Sequence, residues 1–164
     1  MNLANALRAA ALAATLALTT PMPASAEIGP REGWVVTPTG HDYAGLVARI
    51  DEAAAASKIA VVTRASATVG AKEVLDKTIP GNMVIGLYHP RFAVRMLEAS
   101  VAAGIEAPVR LYVTENADDT ATVSYKTPSA VFAPYMDEGG EALKALATEL
   151  DAVFAAVVAQ AAAN

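Results

Sequence analysis

Residues 81–116, GNMVIGLYHPRFAVRMLEASVAAGIEAPVRLYVTEN, carry strand, helix and strand signals in immediate succession. From Met83 to Tyr88 both alternating faces are apolar, with Met83, Ile85 and Leu87 on one and Val84, Gly86 and Tyr88 on the other. A strand of that kind belongs inside a sheet rather than at its edge. Pro90 is suited to the first position of a helix, where a backbone N–H would have no partner anyway, and this places His89 at the N-cap. Phe92, Met96, Leu97 and Val101 recur at helical spacing, which predicts a stripe facing the sheet and a helix ended by Gly104. Pro108 opens the second strand. In it Val109, Leu111 and Val113 point one way while Arg110, Tyr112 and Thr114 point the other, so one face is expected to be wet or functional.

Working outward, Trp34 to Val36 reads as a first strand stopped by Thr37 and Pro38, with the only tryptophan expected in the core or in a subunit contact. HDYAGLVARIDEAAAASK, residues 41–58, sets Tyr43, Leu46, Val47 and Ile50 on one helical face. Ile59 to Thr63 is a further strand, and Gly70 to Lys77 a short helix with exposed charges. Downstream, the polar turn Asn116 to Asp119 separates two alternating runs and predicts an antiparallel hairpin. Ser129 to Met136 reads as one helical turn, and Asp137 to Gly140 as a hinge before an amphipathic helix over 140–162 with an alanine-rich outer face. Together these elements predict an α+β two-layer sandwich, a mixed sheet of about five strands covered mainly on one side. The other side then needs a ligand, a partner or the last helix.

The N-terminal residues hold one positive charge, Arg8, then an apolar run Ala9 to Leu18 and the small residues Ala24, Ser25 and Ala26. This is the pattern of a secretory signal peptide, 1–26, cleaved after Ala26. The ten-residue run is too short to span a bilayer, so a periplasmic or secreted domain is expected. Removal of 26 of the 164 residues leaves 138, a length for one domain over 27–164 with its core in 33–135. Arg8 is the only charge removed, so 12 basic residues become 11 against 17 acidic ones. That balance argues against nucleic acid or an anionic membrane as partner. The absence of cysteine excludes disulfides, thiolate metal sites, a cysteine nucleophile and covalent haem attachment through thioethers.

GLYHPRFAVRML at 86–97, GIEAPVRLYVTEN at 104–116 and ADDTATVSYKTPSAV at 117–131, in this order of elements, resemble the domain of unknown function 302 family over about 33–135. The resemblance implies a small α+β domain, commonly exported, and pairing as a homodimer. Where that family typically has Asn-Pro and Pro-Cys, this chain has His89-Pro90 and Pro108-Val109.

His89 is titratable near neutral pH and stands where a strand end meets a helix N-terminus, so it is a candidate base, metal ligand or haem ligand as well as a cap. His41 is a second, weaker candidate. Arg91 and Arg95, one helical turn apart near that N-terminus, would with Arg110 hold a carboxylate, phosphate or haem propionate, unless the face is solvated and Glu98 neutralises Arg95. Tyr88, Tyr112 and Tyr125 would supply an aromatic floor if their strands are neighbours. The expected ligand is small, anionic and partly apolar, in contact with His89, Arg91, Arg95, Tyr88, Arg110 and Tyr112. Non-covalent haem is one candidate, with Met96 a second axial ligand if the helix turns it inward. There is no HExxH motif, nucleophile elbow or phosphate-cradling loop. A binding module, a dimeric interaction protein and an enzyme of unrecognised type remain open, the last least supported.

Overall fold

The computed structural model describes residues 28–164, so the expected leader, 1–26, lies outside the described residues. Its strands are β1 (Trp34–Pro38), β2 (Ala60–Ala65), β3 (Asn82–Tyr88), β4 (Val109–Glu115) and β5 (Ala121–Lys126). The helices are α1 (Tyr43–Ala56), α2 (Ala67–Leu75), α3 (Pro90–Ala99), α4 (Pro128–Phe132) and α5 (Met136–Ala162), with 3₁₀ turns at Ala102–Glu106 and Ala133–Tyr135. The five strands form one sheet in the order β1-β5-β4-β3-β2. β3 is interior, as its two apolar faces require.

Every strand pair is antiparallel, so the sheet is not mixed. The helical connections explain the difference. The excursion through α3 and the following 3₁₀ turn returns to the end of β3 that the chain left, so that Val109 pairs with Leu87. The strand-to-strand path through α2 does the same, while α1 carries the chain behind the sheet from one edge to the other.

Leu46 and Ile50 of α1, Phe92 and Met96 of α3, and Leu146, Phe154 and Val157 of α5 are buried in one core with Ile85, Leu111 and Val123 of the sheet. α5 packs on α1, α3 and α4, on the covered face. Gly140 (φ 54) bends it near its start, where the hinge is expected, because a left-handed backbone suits glycine. Its outer face, including Ala145, Ala152, Ala156 and Ala159, is exposed. α3 ends at Ala99 rather than at Gly104. Ser100 is extended (φ −154), and its hydroxyl accepts the Ala103 N–H to start the 3₁₀ turn. The interruption throws Val101 outward, and Leu97, expected against the sheet, is also exposed.

Candidate functional site

His89 caps α3: its Nδ1 accepts the Arg91 backbone N–H at 3.0 Å, and its ring meets Phe92 edge-on at 5.9 Å. A neutral imidazole accepting at Nδ1 carries its proton on Nε2. Arg95 donates to Glu149 of α5 at 2.6 Å, and Arg91 lies 3.6 Å from the same carboxylate. Both arginines thus share one carboxylate, that of Glu149 and not of Glu98, with Arg95 held the more closely. Tyr88 and His89 line a shallow depression of about 520 Å³ beside β2, away from Arg95. Arg110 and Tyr112 point to the opposite face of the sheet, which α1, α3 and α5 leave open. The six candidate residues therefore fall in three places.

Tyr125 is separated from the other two tyrosines as well. It pairs with Leu111 on the covered face and packs on Phe154, ring centroids 5.6 Å apart. Burial, with the Asp151 carboxylate second, raises its hydroxyl above the usual phenol value. His41 is engaged at the far end of α5, its Nε2 2.9 Å from the Ala163 carbonyl.

Haem does not fit these donors. Iron bound at Nε2 of His89 would require the proton to move to Nδ1, which would break the cap. The space shared by His89 and the buried Met96 is about 30 Å³, room for one water and far below a cofactor pocket. Among the described residues no three metal-ligating side chains gather.

The larger concavity is on the open sheet face, a groove of about 610 Å³. Strand register arranges that face in lateral rows. The middle row runs across all five strands as Ala65, Val84, Tyr112, Ser124 and Val36. One step toward the N-terminal end of β4 comes a row with Thr63, Gly86 and Arg110 and, beside them, Lys126 opposite Trp34. One step the other way, Asn82, Thr114 and Thr122 form an uncharged polar row. The face thus passes from cationic through apolar and aromatic to neutral hydrogen-bonding groups.

At the cationic end the Lys126 ammonium lies 5.8 Å from the Trp34 ring, which Arg31 approaches at 5.1 Å. Arg110 is 4.0 Å from Glu106, the long limit of an ion pair, and its side chain is 62% exposed. The Glu106 carboxylate takes the Tyr135 hydroxyl at 2.9 Å, which holds that phenol above its usual range. Arg110 therefore keeps donors for an incoming anion, since an exposed contact at this distance contributes little. Gly86 is buried beside the groove under Thr63 and Pro108; a Cβ there would stand 2.2 Å from the Thr63 hydroxyl and 2.7 Å from the Pro108 ring. At the other end the N-cap Ser66 makes no cap hydrogen bond, and its hydroxyl is turned to the Tyr43 phenol. The Ala67 N–H is taken instead by Asn82.

Fold and site together define a two-layer α+β domain with α1, α3 and α5 on one face and, on the other, an amphipathic groove bordered by Ala67 of α2 and Val131 of α4. The chain belongs to the family described as Domain of unknown function DUF302, which matches residues 35–161. A similar solved structure is that of an uncharacterized conserved DUF302 protein from Bacillus stearothermophilus. It has a TM-score of 0.71 and 18% identity, covering 80% of this chain and 99% of that one, a likeness of fold. No curated protein matches the sequence.

Proposed function

We propose that the domain is an exported binding module that holds a small anionic, partly apolar ligand in the groove on its open sheet face. The observation that carries this reading is the adjacency of Arg110 and Lys126 to a floor of Trp34, Tyr112 and Val84. A concave, largely apolar surface with a few convergent polar groups is the usual form of a small-molecule site. Arg110 and Tyr112 keep the roles expected of them; in this reading His89 is a helix cap and Arg91 and Arg95 brace α3 against α5. Trp34, the only tryptophan, lies in the groove and reports on it directly. Titration with decanoate should change its fluorescence saturably, and Arg110→Ala with Lys126→Ala should weaken binding at least tenfold. A fluorescence signal that does not saturate, or that ignores both substitutions, contradicts the proposal.

Export rests on the leader pattern of residues 1–26. Protein recovered from the periplasm should have the mass of a chain beginning at Glu27, and retention of Met1 to Ala26 would count against it.

A second reading, self-association, is favoured by the exposed patch Val94, Leu97, Val101 and Ile105 on α3 and the 3₁₀ turn. Apolar side chains gathered in this way mark interaction surfaces. Light scattering at micromolar concentration should give twice the monomer mass, and Val101→Asp with Ile105→Asp should return it to the monomer. A monomer throughout removes the homodimer.

A further inference from the structure

We infer that the ligand of the open-face groove is two-headed, with an anionic group at one end and a neutral hydrogen-bonding group at the other, joined by an apolar body. This rests on the reading of the groove given above and adds the order of groups along it. Arg110 pairs with Gly86 and Thr114 with Asn82, so the cationic and neutral rows are four residues apart along β3. At the usual rise of a strand that separation is roughly 13 Å. Between them lie Val84 and Tyr112, with Ser124 fully buried beside them. Ser66 and Asn82 close the neutral end of the groove.

The assignment of the two ends follows from charge. Among the groove-lining residues Arg110, Lys126 and Glu106 are the ionisable groups that carry charge at neutral pH, and all three stand at one end. At the opposite end the Asn82 amide is spent on Thr68, Pro80 and Ala67. Ser66 makes no cap hydrogen bond, and its hydroxyl, hydrogen-bonded with the Tyr43 phenol, keeps a lone pair that can accept from a ligand. A second anion there would meet no cation, whereas a ligand hydroxyl or amide could donate to the Ser66 oxygen. An unbranched carboxylate of about ten carbons, hydroxylated at its far end, has the required length and polarity.

The test compares decanoate with ω-hydroxydecanoate on the mature protein, by calorimetry and by Trp34 fluorescence. The ω-hydroxy acid should bind roughly three- to tenfold more tightly, the range of one net hydrogen bond. Ser66→Ala should abolish that advantage by weakening the ω-hydroxy acid more than decanoate, while Arg110→Ala weakens both. Equal affinity of the two acids, or equal weakening of both by Ser66→Ala, overturns the two-headed ligand and leaves the anion groove standing. Failure of both acids to bind overturns the groove reading and this inference with it.

Discussion

Arg95 of α3 and Glu149 of α5 form an ion pair, Nη1 to Oε2 2.6 Å, that joins two helices far apart in sequence and includes Arg91 at 3.6 Å. The relationship converts what reads as an anion-binding pair at a helix N-terminus into a brace between helices. Because the Arg95 and Glu149 side chains are 40% and 42% exposed, solvent screens much of the attraction. Glu149→Gln should lower stability by no more than about 1 kcal/mol. The same variant should bind sulfate at Arg91 and Arg95 where the parent does not. Urea unfolding and anion titration followed by the Arg95 side-chain resonances measure both effects.

His89 offers a second check on that helix. Its ring nitrogen takes one of the N–H groups that α3 leaves unpaired, so His89→Ala should cost about 1 kcal/mol. His89→Asn, which keeps a capping acceptor, should stay within a few tenths of the parent. Denaturant midpoints of the three proteins settle the order; equal losses in both variants would mean the cap is not what the imidazole contributes.

Much of this architecture is legible from residues 81–116. Alternation in β3 and β4, Pro90 after His89, and the facing of Arg110 and Tyr112 away from Val109, Leu111 and Val113 all follow from local rules and hold in the structure. Register across strands does not follow. The row Ala65, Val84, Tyr112, Ser124 and Val36 exists because β1 pairs with β5 and β2 with β3, contacts that no local pattern encodes. Lys126 could have been found, since alternation in ATVSYK sets it on the face of Ser124; its meeting with Trp34 could not. Glu149 lay hidden for the same reason, one charge on a long helix whose facing depends on docking. Tyr125 went to the covered face because its strand is in register with Leu111, while Tyr112 alternates away.

Gly86 tests how closely Thr63 and Pro108 pack over β3. A Cβ at this position would press on the Thr63 hydroxyl and on Pro108, the latter part of a ring that cannot rotate aside. Gly86→Ala should therefore destabilise by about 1–3 kcal/mol, as overpacking does. Gly70→Ala, where nothing lies within 4 Å, should not destabilise. Thermal unfolding of both distinguishes steric conflict from a general effect of replacing glycine.

Alkaline stability follows from the tyrosines. Tyr125, raised from 10.0 by burial and then by Asp151, and Tyr43, raised by burial, hold their protons more tightly in the fold than in the unfolded chain. Their contribution is fully present below about pH 10 and is lost as pH rises through the folded values, because there the unfolded state releases protons first. Unfolding free energy should fall across that window, less steeply in Tyr125→Phe. Phenolate absorbance and denaturant midpoints measured at the same pH values check the sign; a rise in stability there would contradict it.

The open sheet face is the surface on which this domain is proposed to meet its ligand. Nuclear magnetic resonance of the labelled mature protein titrated with decanoate tests it most directly. The Trp34 indole N–H and the backbone amides of Val84, Tyr112 and Ser124 should shift together with one saturation curve, while Arg91, Arg95 and Glu149 stay in place. Shifts confined to α3 and α5, or none at saturating decanoate, would contradict the account.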